Sequence, residues 1–404
     1  MLKRLLEMTA AERLELCRRR IREADGSIQA WVVVAPQKPL GKGPLDGMPF
    51  GAKDIYETAG LATEYGSAVY RGRQGRRDAA LVRELRRRGA ILLGKTHTAA
   101  FAYRDPAPTR NPRAPEHTPG GSSSGSAAAV AAGMVPFALG TQTQGSVLRP
   151  ASFCGVTGFK PTFGLLPMAG ILPFAMSLDT AGLFTETAED MRLLWQRMGY
   201  PAGATETLRL GIAGPIDAEP EMVQAYGRSV EALRAAGFAT QPVDLAALYA
   251  ELRTASRVTM FYEAARFHER RFREHGERLG QLAELVRQGL RIPEADYARA
   301  RESVARARRQ MRELFSQTPV ILTPAATGPP PRGLASTGDP RMNAPWTALG
   351  TPALSIPMPV GSGLPLGLQI TAEWGREARV LAAGVEIERV WAGKNGREQQ
   401  NGRE

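Results

Sequence analysis

Cysteine is almost missing from this 404-residue chain; Cys17 and Cys154 are the only two. A multi-disulfide framework is excluded, and a cysteine-built zinc site cannot be assembled. Histidine is nearly as scarce. His97, His117, His268 and His275 fall in no metal-binding spacing, so no metal is expected. His268 and His275 lie inside a charged helical block and read as surface residues. No apolar run approaches the ~20 residues of a membrane span. The opening MLKRLLEMTAAERLELCRRR lacks the apolar stretch of a secretion signal. A cytoplasmic protein without a membrane partner is expected. Nucleotide motifs are absent too. There is no Walker A loop, and GTQTQGS does not fit GxGxxG. No cofactor is expected.

Lysine is the most telling scarcity. The net charge is +12, yet only seven of the 52 basic residues are lysine. The arginines are interleaved with glutamate, as in ERLELCRRRIRE, which is the pattern of solvated helix faces. Nucleic-acid binding is therefore not expected. A chain that uses arginine for plain positive charge keeps lysine where a proton must be given up, which arginine cannot do. Lys53, in GMPFGAKDIYETAG, is the leading candidate. Lys95 (LLGKT) and Lys160 (GFKPT) are rivals, each able to serve as a strand or loop anchor instead.

Patterning predicts an α/β protein with a mixed sheet covered by helices. Thr9 and Glu12 form a capping box that opens a helix to about Glu23. Strands are predicted at 30–34, 90–93, 208–212, 239–243, 320–324, 353–357 and 366–370, with an extended segment at 136–139. Residues 47–53 read as a loop at a buried strand, and 105–119 as an irregular proline-rich loop. Helices are predicted at 79–88, 127–132 and 220–235. A change of character falls near 200–206. A nearly all-helical block spans 246–317, broken at 291–293. Residues 1–392 read as one domain with that block at its periphery, and the polar tail 393–404 as disordered.

What is abundant is glycine and serine in one place. GGSSSGSAAAVAAGMVPFALGTQTQGSVLRP, residues 120–150, holds two Gly/Ser-rich turns around an apolar run. Such turns bring backbone N–H groups and serine hydroxyls close to a ligand. A serine nucleophile needs a base and an oxyanion hole. Ser146 can be the nucleophile, and the N–H groups of Thr143, Gln144, Gly145 and Ser146 a nest for an oxyanion. Ser122 follows Gly120 and Gly121 in the other turn. Lys53 can be the base if burial lowers its pKa. Any one of these serines alone would more often be a capping residue.

The combination resembles the amidase signature family, over about residues 10–390. The resemblance extends to GMPFGAKDIYETAG, LLGKTHTAAFAYRDP, SLDTAG and GLPLGLQI. It implies that family's large mixed β-sheet core with helices on both sides. It also implies a Ser–cisSer–Lys triad in which Ser146 is the nucleophile, Ser122 the serine after a cis peptide bond, and Lys53 the base. Ser146 lies 24 residues after Ser122 and 93 after Lys53, which fits that pattern. Ser123, Ser124 and Ser126 then become turn and cap residues.

The expected activity is amidohydrolysis of a small amide, or a related carbamate or ureide, through an acyl-enzyme. FAYRDPAPTRNP and ASTGDPR are similar to malonamidase-type members, which act on amides beside a carboxylate. Arg149, three residues after Ser146, either clamps such a carboxylate or braces the loop. Gly121 and Gln144 complete the expected substrate-binding set. Gln144 departs from the small residue usual in the family. The alternative is the A subunit of a glutamine-dependent tRNA amidotransferase, against which stands the lack of a basic RNA-binding extension. The expected partner is a small-molecule amide, with a homodimer as the expected assembly.

Overall fold

Among the described residues, eleven strands join into one mixed sheet. The computed structural model describes residues 1–203, 208–361 and 363–401, with side chains up to residue 393. The strands are β1 (Trp31–Gln37), β2 (Pro49–Lys53), β3 (Ile91–Thr96), β4 (Phe137–Gln142), β5 (Thr157–Lys160), β6 (Thr180–Thr185), β7 (Arg209–Gly214), β8 (Ala239–Asp244), β9 (Val320–Pro324), β10 (Ala353–Pro357) and β11 (Gly367–Ala372). Their spatial order is β1-β3-β2-β4-β6-β5-β10-β11-β9-β7-β8. β2 pairs in parallel with both β3 and β4, whereas the strands from β4 through β9 meet antiparallel.

That order explains where the candidate residues go. β2 and β4 are buried at every position, as expected of central strands covered on both faces. Their register sets Ala52 beside Leu139, and the rings of Phe50 and Phe137 stack at 5.3 Å. Because the two strands run parallel, Lys53 at the end of β2 and Gln142 at the end of β4 reach the same edge of the sheet. Carboxyl ends of neighbouring strands are where α/β sheets build sites.

The helix Ser124–Ala131 is buried along its whole first seven residues, all small or β-branched, so it can lie close against the sheet. The capping box at Thr9 is present, with Thr9 N–H on Glu12 Oε2 at 2.7 Å and Glu12 N–H on Thr9 Oγ1 at 3.3 Å. That helix continues to Ile28 and stops where Gln29 turns left-handed.

Several expectations are corrected. Residues 49–53 are not loop but strand; a Cβ on Gly51 would stand 3.0 Å from the Trp31 and Thr96 side chains, a tight fit. The predicted helix at 127–132 starts at Ser124. β5, β6 and the helix Ala188–Arg197 have no counterpart among the predicted elements. The final helix, Glu377–Asn401, runs into the tail expected to lack structure; residues 402–404, and 204–207 at the expected change of character, lie outside the described residues.

His268 is not a surface residue. It is fully buried and packs against the rings of Phe101, Phe174 and Phe267. Leu252, Ser256, Met260, Ala264 and His268 form a buried i, i+4 stripe on the helix Ala246–His275, which the surrounding arginines and glutamates mask in the sequence. Burial pushes the His268 pKa down to about 3. His275 is partly exposed, its ring edge-on to Tyr70.

Candidate active site

Each of the three buried lysines has a different set of partners. Lys95 Nζ lies 3.3 Å from Asp54 Oδ1 and donates to Tyr56 O and Thr63 Oγ1, so it braces a loop. Lys160 Nζ donates to the carbonyls of Pro161 and Thr351. Lys53 Nζ instead meets two hydroxyls, Ser122 Oγ at 2.7 Å and Thr141 Oγ1 at 2.9 Å. Burial lowers the pKa of both Lys53 and Lys160 to about 7. A depressed pKa therefore does not distinguish Lys53 from Lys160; the serine partner does.

The peptide bond between Gly121 and Ser122 is cis. Ser123 Oγ donates to Thr141 O and accepts its N–H, Ser124 Oγ donates to Gly120 O, and Ser126 Oγ donates to Leu139 O. Ser123 and Ser126 thus pin the first turn to β4, and Ser124 closes the turn on itself. Gly140 gives Ser123 room, since a Cβ there would stand 2.8 Å from Ser123 Oγ.

The second turn, 143–147, leaves β4 and enters the helix Leu148–Cys154. Gln142 Oε1 accepts the N–H groups of Val147 at 2.9 Å and Leu148 at 3.0 Å. Thr143 Oγ1 donates to buried Asp179, which also accepts the N–H groups of Phe174 and Ala175. Burial raises the Asp179 pKa to about 6. The N–H groups of Gln144, Gly145 and Ser146 donate to no protein acceptor among the described residues. Ser146 is 9% exposed and borders a cavity of about 580 Å³ with Thr143, Gln144 and Arg149. No hydrogen bond joins Ser122 to Ser146 in this resting geometry; such contacts often tighten only with substrate bound.

Arg149 ties the two turns together. Its Nη2 donates to Gly121 O at 2.7 Å and its Nε to Thr337 O at 2.6 Å. Nη1 is buried without a partner among the described residues, and burial lowers the guanidinium pKa to about 10. The bracing role is therefore occupied, and Arg149 still lines the cavity. A methyl group on Gly145 would stand 2.5 Å from Asn343 Oδ1 and 2.7 Å from Arg149 Nη1. Both neighbours are tethered, Asn343 by donation to Ala325 O and Gln369 Oε1. Gly145→Ala is expected to push the turn out of place and cut kcat/KM on the order of 100-fold. Steady-state rates near wild type would show the turn to be soft.

The rest of the cavity wall comes from the FAYRDP and ASTGDPR segments and from a helix that carries no motif. The helix Ala246–His275 supplies Arg253, Arg257, Met260 and Phe261; Tyr103, Arg104, Phe174 and the 335–341 loop close the other sides. Gln144 Nε2 donates to Ser256 Oγ at 2.7 Å on the same helix. Asp339 is held by Arg341 at 2.7 and 2.9 Å. Arg104 and Arg257 have no carboxylate partner among the described residues; they lie over the rings of Tyr103 and Phe261. Among the described residues there is no cluster suited to a metal ion, and no helix is long and apolar enough to cross a membrane.

Thr141, Asp179, Thr347 and the arginines of the 246–275 helix carry no assignment from the sequence. Asp179 has a signal, its place in SLDTAG. The arginine pair at 253 and 257 has an i, i+4 spacing, but so do many surface arginines nearby.

The Amidase family model matches residues 14–381. The A subunit of the glutamyl-tRNA(Gln) amidotransferase of Lysinibacillus sphaericus is 30% identical, over 93% of this chain and 94% of its own. A solved amidase superposes with a TM-score of 0.86 at 29% identity, covering 96% of this chain and 98% of its own. The A subunit of the glutamyl-tRNA(Gln) amidotransferase of Thermotoga maritima superposes with a TM-score of 0.81 at 26% identity, covering 95% of this chain and 92% of its own.

Proposed function

The chain belongs to the amidase family, and from that premise we propose that it hydrolyses a small, carboxylate-bearing amide through Ser146, Ser122 and Lys53. The observation that carries this reading is Lys53, buried without a hydrogen-bonded carboxylate and 2.7 Å from Ser122 Oγ, at the sheet edge where Ser146 opens to the cavity.

Neutral Lys53 takes a proton from Ser122 as Ser122 takes one from Ser146. Ser146 Oγ bonds to the amide carbon, and the carbonyl oxygen becomes an oxyanion facing the N–H groups of the 143–146 turn. Ser122 passes its proton to the leaving nitrogen and regains one from Lys53; the C–N bond breaks and ammonia or an amine departs. Water then attacks the acyl-serine ester, its proton following the same path to restore Ser146. The products are a carboxylic acid and an amine.

The carboxylate preference rests on the sign of the wall. Arg104, Arg149, Arg253, Arg257 and Arg341 line the cavity with Asp339; Asp217 and Asp339 pair with Arg253 and Arg341, so among the described residues Arg104, Arg149 and Arg257 are left without a carboxylate bonded to them. The test is a panel of malonamate, glutamine, aryl amides, ureides and carbamates, scored by ammonia or amine release. Anionic amides are expected to exceed neutral isosteres in kcat/KM, and the gap to narrow with added salt. Equal rates at every ionic strength would remove the carboxylate assignment.

The relatives favour a narrower second reading over a malonamate-type one. They are A subunits of glutamyl-tRNA(Gln) amidotransferases, so the amide would be glutamine and the ammonia would pass to a partner-bound acceptor. Glutamine hydrolysis that rises only on adding partner subunits supports this reading. Full turnover by the isolated chain favours the stand-alone amidase.

A further inference from the structure

The nucleophile turn is held from behind by a residue that does not line the cavity. Thr347, in the helix Ala344–Leu349, is 1% exposed. Its Oγ1 donates to the carbonyl of Gln144 at 2.8 Å, with the carbonyl of Asn343 a longer alternative at 3.2 Å. The same oxygen accepts from Gln142 Nε2 at 3.0 Å. Gln142 Oε1 in turn receives the N–H groups of Val147 and Leu148. One threonine hydroxyl therefore links the Gln144 carbonyl to the Gln142 amide, which itself spans the turn that carries Ser146.

The Gln144 carbonyl and the Gly145 N–H belong to one planar trans peptide unit, so they point in opposite directions. Tying the carbonyl to Thr347 turns the Gly145 N–H away from that helix. A peptide unit preceding glycine is the easiest to reverse, because glycine accepts φ values closed to other residues. A Cβ at Gly145 is barred by Asn343 and Arg149, so rigidity cannot be supplied by a larger residue at that position. It has to come from the carbonyl end.

We propose that Thr347 is a positioning residue for the amidase reaction: it selects the peptide orientation that presents the Gly145 N–H to the oxyanion. The proposal rests on the reading of Ser146 as nucleophile. Thr347→Val keeps the shape and removes the hydroxyl; Thr347→Ser keeps the hydroxyl. On the best amide of the panel, Thr347→Val is expected to lower kcat between about 10- and 100-fold, as partial loss of one oxyanion donor would. KM should stay within about threefold, since this interaction strengthens in the transition state. Thr347→Ser should restore kcat to within about threefold of wild type, where a purely packing role would not be rescued by the smaller residue.

Thr347→Val with unchanged kcat, a loss confined to KM, or a serine variant as slow as the valine would each overturn the proposal. If the valine variant does not fold, Thr347→Ala is read by the same criteria. Ser146→Ala, assayed beside them, separates the two levels. Activity in Ser146→Ala removes the nucleophile reading itself, whereas an inert Ser146→Ala beside a fully active Thr347→Val removes only the role of Thr347.

Discussion

Ser146→Ala should turn over no amide above the background of the remaining site, a fall of about four to six orders of magnitude in kcat. The size follows from what is removed. Without Oγ no covalent bond to the acyl carbon forms, and the Lys53–Ser122 pair has nothing to activate except water in the wrong place. What remains is binding and the N–H groups of the turn, which by themselves retain only a small part of an acyl-transfer enzyme's acceleration. The fold has little stake in the hydroxyl, since Ser146 lies at the cavity edge and its side chain bonds to no group among the described residues. The variant should therefore melt within a few degrees of wild type. Two measurements decide the matter: product release at high enzyme concentration, and intact mass after incubation with a slowly deacylating substrate. Wild type gains the acyl mass and Ser146→Ala does not. Residual activity within tenfold of wild type, or an adduct on the alanine variant, would move the nucleophile elsewhere.

Replacing Lys53 is expected to be nearly as damaging, and two variants separate the reasons. Lys53→Arg keeps a cation in the same place but cannot lose a proton. It should reduce kcat by about three orders of magnitude, within the range of a lost general base. It should also destabilise the protein, because a permanent charge would occupy a fully buried position whose nearest partners are the hydroxyls of Ser122 and Thr141. Lys53→Met should be as inactive, yet closer to wild type in stability, because it removes the buried amine without adding a charge. If Lys53→Arg retained a tenth of wild-type activity, proton transfer through this position would be refuted.

The pH dependence carries the same logic. Burial lowers the Lys53 pKa to about 7, against the opposing pull of Asp179. In the proposed mechanism the neutral amine is the active form, so kcat/KM should rise with pH through about 7 and level off above it. The folded state gives up this proton at lower pH than the unfolded chain does. Between about 7 and the ordinary lysine range the unfolded state therefore binds more protons, and the stability contribution of Lys53 increases with pH across that window. Below about 7 both states are protonated and this contribution is flat. A rate profile without a limb near 7 in wild type would mean that another group sets the protonation step.

What is legible in the sequence and what is not divide along one line. Local signals carry well. The capping box at Thr9, the strands at 320–324 and 353–357, the helices around 246–317 and the Gly/Ser turns depend on neighbours within a few residues, and each appears where its pattern stands. Lys53, Ser122 and Ser146 stand out as candidates, a retained lysine with Lys95 and Lys160 as rivals and serines in glycine-rich turns, and it is the resemblance to the amidase signature family that joins them into one triad.

Long-range packing does not carry. Whether His268 faces water or Phe101 depends on which side of a charge-rich helix turns inward. Lys160 and Lys53 share burial and a lowered pKa, and only the fold places a serine against one of them. The sequence by itself determined the chemistry on offer, through side chains that can attack, accept a proton or bend a turn. The tertiary structure alone decided which of them meet, because the contacts that orient the site span long stretches of chain. Gln142 reaches Thr347 across 205 residues, and Gln144 reaches Ser256 across 112. Such contacts are set by burial of the whole sheet, a sum over the core that no local window of residues contains.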